Sequence, residues 1–200
     1  TAMSGGHLIV LALLTAAVCI IMGMGLPTSA CYIILSVLIV PALIEFGVSK
    51  IAAHMFILYF GTISNLTPPV ALAVFAAIGI SGGDMWKTGL QAMKLGAAGF
   101  LVPFIFIYDD LLLMQGELVP IIITMITAFM GCSLLAVILF GWAFRSLKAY
   151  ERIILLPCSL FLIVPRPLGL NLAGMAIAGL VLVNLYRTRE KTGWKESVRA

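Results

Sequence analysis

Side chains that can offer oxygen atoms cluster in the middle of an apolar stretch of the chain. They are Thr62, Ser64, Asn65 and Thr67, and two prolines, Pro68 and Pro69, follow them directly. Because proline has no N–H group, at least two helical hydrogen bonds are missing at this point. The residue before a proline is also pushed out of the helical region. The pattern predicts a helix that breaks within the membrane, with carbonyls near residues 63–65 in need of new partners.

Neutral oxygens of this kind are suited to binding a monovalent cation. Hard cations prefer oxygen ligands, and residues 55–83 contain no charged side chain. A site without carboxylates does not have to balance a double charge, so Na⁺ is favoured over Ca²⁺ or Mg²⁺. Ser64, Asn65 and Thr67 are the candidate ligands. The alternative is a proline-kinked helix whose Ser and Thr hydroxyls bond to its own carbonyls.

The composition places the chain in the membrane. Its 200 residues are 62% hydrophobic and 10% charged, and its mean hydropathy is +1.18. Charge-free runs cover residues 8–44, 55–83, 118–144 and 167–186. Since about 20 apolar residues suffice to cross the hydrocarbon layer, the sequence predicts an all-α polytopic membrane protein.

The charged residues indicate topology rather than nucleic-acid binding or catalysis. Basic residues lie in short loops and in the tail, where the positive-inside rule accounts for the net charge of +4. We therefore expect no nucleic-acid partner and a C-terminal tail that faces the cytoplasm. The acidic stretch around Asp109, Asp110 and Glu117 is expected to face outside. The only histidines, His7 and His54, have no suitably spaced acidic partner within a membrane run, which argues against an enzyme.

Two short apolar segments near the N-terminus predict a hairpin. The first, residues 8–22, would be only about 22 Å long as a helix. Gly23, Gly25 and Pro27 then interrupt it in a turn without charge, and a second apolar segment runs to about residue 43. We interpret residues 8–46 as a re-entrant hairpin that enters and leaves the outer face. Two ordinary spans joined by a tight loop remain the alternative.

The rest of the chain divides into three parts. Residues 1–83 hold the hairpin and the broken helix 50–80, and residues 84–117 hold an interfacial amphipathic arm (84–94) and a membrane helix (95–108). Residues 118–200 are expected to form extra C-terminal helices at 118–141, 153–165 and 168–186, followed by the tail.

The tip and the break together resemble a known transporter family. Residues 23–84, which run from "GMGLPTSA" through "SNLTPPV" to "GISGGD", look like the second inverted repeat of the large membrane subunit of TRAP (tripartite ATP-independent periplasmic) transporters. The segment "PFIFIYDDLLLMQGE", followed by further helices, is similar to the C-terminal portion of fused permeases of the TAXI type. The resemblance covers residues 5–117 well, and residues 118–200 resemble the extra helices of the fused forms.

This resemblance implies an elevator-type importer in a bacterial or archaeal inner membrane, surrounded by membrane lipid. A periplasmic substrate-binding protein would deliver a small organic acid, and a cation gradient, usually of Na⁺, would drive uptake. The ion site would involve Gly23, Gly25, Ser64, Thr67 and Val70, in addition to Asn65. The substrate would be bound near Thr28, Ser29, Pro68 and Pro69.

The chain also departs from the family pattern. Relatives commonly have glycine where Ser64 and Ala71 stand, and fused relatives read Tyr-Asn-Pro in place of Tyr108, Asp109 and Asp110. An inverted-repeat carrier builds its site between two repeats, so this one repeat alone is not expected to transport. The alternative functions are a structural membrane subunit, or a membrane-embedded enzyme without a recognisable catalytic motif.

Overall fold

The computed structural model describes residues 6–143 and 146–163, together with the single residues 179 and 183. The chain divides into two compact units, Thr1–Glu117 and Leu118–Ala200. The predicted cytoplasmic tail lies outside the described residues, as does the predicted helix 168–186 apart from its two described positions, both helical.

The regular elements of the described residues are helices. The first unit contains α1 (Leu8–Gly23), α2 (Thr28–Glu45), α3 (Lys50–Ile63), α4 (Leu72–Ser81), α5 (Met85–Leu95) and α6 (Ala97–Tyr108). Short 3₁₀ turns, Ser64–Leu66 and Asp110–Leu113, follow α3 and α6. The second unit contains α7 (Leu118–Phe140) and α8 (Ala149–Ile163).

Helix length and composition fit a membrane protein. By these criteria α2 and α7 are long and apolar enough to cross a bilayer, and α5 with α6 makes a third candidate that is bent by 44°. Helices α1 and α4 are apolar but shorter, with 16 and 10 residues. The predicted all-α membrane fold is therefore confirmed.

Helix α3 is the centre of the first unit, because it packs against α1, α2 and α6. Its Phe56 and Phe60 are almost fully buried, and both meet the edge of Phe104 from α6, with ring centroids 5.4 and 5.5 Å apart. Tyr32 of α2 and His54 of α3 share a hydrogen bond of 3.0 Å. Within a membrane such close packing and hydrogen bonding hold helices together, since lipid supplies no hydrophobic drive between them.

A hydrogen bond between loops fixes the start of α3. The Ser49 hydroxyl accepts the N–H of Ala52, which caps the helix, and donates to the Asp110 carboxylate at 2.7 Å. The carboxylate thus lies beside a helix N-terminus, where a negative charge is favourable. This contact gives Asp110 a structural role at the start of α3.

Some helix limits differ from those predicted. The predicted broken helix 50–80 is interrupted between Ile63, where α3 ends, and Leu72, where α4 begins, because the chain between them turns away at the two prolines. Helix α2 has Pro27 as its N-cap, without a side-chain cap bond.

Helix α8 begins at Ala149, before the predicted residue 153. The reason is a cap that hydropathy does not reveal. The carboxylate of Glu151, only 6% exposed, accepts the N–H of Lys148 at 2.8 Å, which is one of the two hydrogen bonds of a capping box.

A glycine brings α7 and α8 into close contact in the second unit. A Cβ atom added at Gly131 would come within 2.6 Å of a side-chain carbon of Ile163 and within 2.9 Å of the Ser159 carbonyl oxygen. Thr124, Thr127 and Ala128 are buried on the same helix. Small residues at such a crossing let two membrane helices approach backbone to backbone.

Replacing Gly131 by valine should therefore separate α7 from α8. Overpacking costs about 1–3 kcal/mol, and here backbone atoms stand in the way, so we expect a loss at the upper end of that range. Unfolding of the full-length protein in mixed micelles measures this loss. Ala136→Val places valine on an exposed part of the same helix and is the control. Equal losses for both variants would show that the crossing does not depend on Gly131.

Candidate functional site

The hairpin tip lies against the break of the long helix. Helix α1 ends at Gly23, and the tip connects it to α2 at Thr28. Gly23 is buried, and a Cβ atom added there would overlap the Ser64 hydroxyl and come within 3.0 Å of the Gly61 carbonyl oxygen. Only glycine allows the end of α1 to approach the 3₁₀ turn so closely. Two of the predicted ion-site residues, Gly23 and Ser64, are therefore in direct contact.

Ser64 is the most deeply buried polar residue of the site. It has no exposed surface, and its hydroxyl donates to the Gly61 carbonyl oxygen at 2.6 Å. The Ser64 carbonyl oxygen in turn accepts the N–H of Thr67 at 3.1 Å. Each oxygen still has lone-pair capacity, because a hydroxyl that donates once can accept twice and a carbonyl has two lone pairs.

Thr67 marks the point where the helical backbone ends. Its φ of −97° and ψ of 118° are extended, as expected for a residue that precedes a proline. Its hydroxyl donates to the Ile63 carbonyl oxygen at 3.0 Å, so the side chain replaces a backbone donor that the break has removed. The carbonyls of Ile63 and Ser64 are thus each satisfied from within the break, and the bond from the Thr67 hydroxyl to Ile63 is of the kind that the kinked-helix alternative predicts.

Asn65 links the break to the hairpin. Its side-chain N–H₂ group donates to the Thr28 hydroxyl at 3.3 Å and to the Thr62 carbonyl oxygen at 3.1 Å. The amide carbonyl oxygen of Asn65 remains an acceptor. A predicted ion ligand and a predicted substrate residue are therefore neighbours.

The remaining predicted site residues differ in exposure. Gly25, Ser29 and Pro69 are exposed, whereas Val70 and Pro68 are partly buried. A Cβ atom added at Gly25 would meet open space, in contrast to Gly23. The two tip glycines therefore have different roles, and only Gly23 is required for contact with the break.

Ala71 adopts a backbone conformation that normally belongs to glycine. Its φ is +30° and its ψ is 65°, and it precedes the first residue of α4. An L-residue in the left-handed region costs about 1–2 kcal/mol, and Ala71 has no freedom to relax because it is 1% exposed. Ala71 is thus at a position where the fold imposes positive φ.

A surface that the sequence did not reveal supports the break from the other side. Cβ atoms added at Gly89 in α5 and at Gly99 in α6 would come within 2.7 Å of Pro68 and 3.0 Å of Ile63 respectively. Gly96, between the two helices, faces Leu66 in the same way at 3.0 Å. The three glycines were visible in the sequence, but their partners were not.

A comparison with protein-family models gives one match. The model described as "Tripartite ATP-independent periplasmic transporter, DctM component" matches residues 1–122, a range that includes the tip and the break. No curated protein and no solved structure gives a significant match.

The contact between Gly23 and Ser64 should appear as a strong coupling between two mutations. Gly23→Ala alone is expected to lower stability, because its Cβ atom overlaps the serine side chain. In a Ser64→Gly background the same change loses most of its penalty, since only the Gly61 carbonyl remains nearby. The coupling energy should fall between about 0.5 and 3 kcal/mol, the range for residues in contact, and unfolding of the full-length permease measures it.

Gly25→Ala provides the matched control, because its Cβ atom meets nothing. It should show no coupling to Ser64→Gly. Additive effects of Gly23→Ala and Ser64→Gly would contradict the packing of the tip on the break.

Proposed function

This chain belongs to the family of DctM components of tripartite ATP-independent periplasmic transporters, and from that premise we propose that it imports a small organic acid together with Na⁺. The family is a transporter family and not an enzyme family. A periplasmic substrate-binding protein delivers the acid, and the sodium gradient drives its uptake. Residues 1–83 form half of the mobile transport domain, and the other inverted repeat supplies the second half of the site.

The observation that carries this proposal is the cluster of neutral oxygens at the break. Side-chain oxygens of Ser64, Asn65 and Thr67 lie within one turn, next to the carbonyls of Gly61 and Ile63 to which the hydroxyls donate. These internal bonds use the hydroxyl protons, whereas a cation requires the lone pairs that remain. Donation to a carbonyl therefore orients the Thr67 oxygen without consuming its capacity as a ligand.

The charge of the ligand set favours Na⁺. The described residues contain no group of three His, Cys, Asp or Glu side chains that could hold a metal ion. Hydroxyl, amide and carbonyl oxygens offer partial charges only, which suit a single positive charge. Gly23, Gly25 and Val70 contribute to the site through the close approach of the tip and through backbone carbonyls.

The anionic substrate is placed at the ends of two helices. The N-terminus of α2 begins at Thr28 beside Asn65, and α4 begins at Leu72 after the two prolines. Helix N-termini carry partial positive charge and favour a carboxylate. In this proposal Thr28, Ser29, Pro68 and Pro69 contact the acid, while the cation is bound on the side of Ser64 and Thr67.

The ion site makes a direct prediction for Thr67→Val, which keeps the shape of the side chain and removes its oxygen. A lost neutral ligand should cost about 1–3 kcal/mol, so the half-saturating Na⁺ concentration of uptake should rise roughly 5- to 150-fold. The assay is substrate uptake by the full-length permease with its binding protein, titrated with Na⁺.

Thr62→Val is the matched control for this experiment. The Thr62 hydroxyl donates to the Leu58 carbonyl oxygen at 2.8 Å, as Thr67 donates to Ile63, but Thr62 is exposed. Its Na⁺ dependence should stay unchanged. Ser29 is assigned to the substrate and not to the ion. Ser29→Ala should therefore raise the half-saturating substrate concentration and leave the half-saturating Na⁺ concentration unaltered. A normally expressed Thr67→Val variant with unchanged Na⁺ dependence would support the kinked-helix alternative.

The orientation of the permease is proposed from its basic residues. Arg187, Arg189, Lys191, Lys195 and Arg199 follow the last apolar run, and the positive-inside rule places them in the cytoplasm. A reporter fused after Ala200 that is active only in the periplasm should therefore remain silent. An active reporter would reverse the topology and move the hairpin to the other face.

A further inference from the structure

Helix α5 leaves the apolar part of the first unit and changes direction. Helix α4 ends at Ser81 with Ile80 92% exposed. Gly82, at a φ of +66°, and Gly83 then turn the chain into α5, whose N-terminus is capped by the Asp84 carboxylate. After α5 the chain bends by 44° into α6. Helix α5 is therefore not a straight extension of α6.

The exposed half of α5 combines apolar and cationic side chains. Trp86 and Leu90 are 59% and 55% exposed. They are four residues apart and therefore lie one above the other on the same face of the helix. Lys87 and Lys94 are exposed on the neighbouring row, seven residues apart and so two turns apart on one side. Within the part of the chain that the structure describes, neither lysine is engaged in a salt bridge.

The opposite face of α5 is occupied by the break. Gly89 is buried, and its backbone lies so close to Pro68 that an added Cβ atom would come within 2.7 Å of the proline ring. The side carrying Trp86, Lys87, Leu90 and Lys94 is exposed and is separate from the buried glycine that meets Pro68.

From this arrangement we propose that the exposed face of α5 binds the anionic headgroups of membrane phospholipids. Trp86 and Leu90 enter the interface between headgroups and acyl chains, and Lys87 and Lys94 contact the phosphates. This division of an interfacial helix into an apolar row and a basic row is the arrangement that binds anionic bilayers. The inference goes beyond the transport function, and it does not depend on the identity of the coupling ion.

Quenching of Trp86 by brominated lipid tests the proposal. The full-length permease, with every tryptophan except Trp86 replaced by phenylalanine, is reconstituted in phosphatidylcholine vesicles. Brominated phosphatidylglycerol or brominated phosphatidylcholine then replaces a rising fraction of the lipid. Each lysine near an anionic surface contributes roughly a fivefold preference for the anionic lipid. Brominated phosphatidylglycerol should therefore quench Trp86 at a much lower fraction of the lipid than brominated phosphatidylcholine does. Added salt should reduce the preference.

Neutralisation of the two lysines provides the decisive comparison. Lys87→Gln should lower the preference for phosphatidylglycerol about fivefold, and Lys87→Gln combined with Lys94→Gln should leave the two brominated lipids nearly equal. Lys50→Gln, at an exposed lysine that begins α3, should change nothing. If the single-tryptophan protein does not fold, the quenching lost in Trp86→Phe gives the same quantity by difference.

Three outcomes would overturn the proposal. Equal quenching by both lipids in the protein that keeps both lysines would mean that α5 is an interfacial helix without headgroup preference. Absence of quenching by either lipid would mean that another protein segment covers α5. If the preference for phosphatidylglycerol survives the replacement of both lysines, residues other than Lys87 and Lys94 cause it. Because the measurement uses neither an ion gradient nor a substrate, failure of the transport proposal would not affect it.

Discussion

A helix that breaks inside a membrane must find partners within the protein for the backbone groups it frees, because lipid offers none. This constraint explains the environment of the break between Ile63 and Leu72. The hydroxyls of Ser64 and Thr67 and the N–H of Thr67 satisfy nearby carbonyls, and the Asn65 amide ties the turn to Thr28 of the hairpin. The break is therefore a defined structure and not a loose loop.

The same constraint explains where the first unit needs glycine. Backbone at the break can be enclosed only if its neighbours approach closely, and Gly23 on one side and Gly89 on the other allow this. The contact of Gly23 with Ser64 is tight because the serine side chain fills the space beside the tip. Ala71 occupies a conformation with positive φ that glycine would adopt without strain.

Much of the fold follows from the sequence, and the reasons are local. Long charge-free runs are enough to identify the membrane helices, and two adjacent prolines determine where the helix breaks, whatever surrounds them. The exact ends of the helices were harder to predict, because they depend on hydrogen-bond partners that the hydropathy pattern does not show. Helix α8 begins early owing to the bond between Glu151 and Lys148, and neither the hydropathy nor the charge of that segment indicates it.

The candidate site was predictable in its residue types but not in its contacts. Thr67 and Ser64 stand out as hydroxyls next to prolines, whereas the support from Gly89, Gly96 and Gly99 depends on how α5 and α6 fold back onto the break. A glycine in a helical segment has several uses, and only the partner shows which one applies. Sequence alone therefore identified the oxygens and not the surfaces that hold them in place.

The two interpretations of the break are connected by the chemistry of the hydroxyl group. Bonds from Ser64 and Thr67 to carbonyls of their own helix are what a proline-kinked helix requires. The same bonds leave the hydroxyl lone pairs directed away from those carbonyls, where a cation can use them. Structural satisfaction of the break is thus compatible with ion binding, because the protons that the hydroxyls donate and the lone pairs that remain on their oxygens are separate.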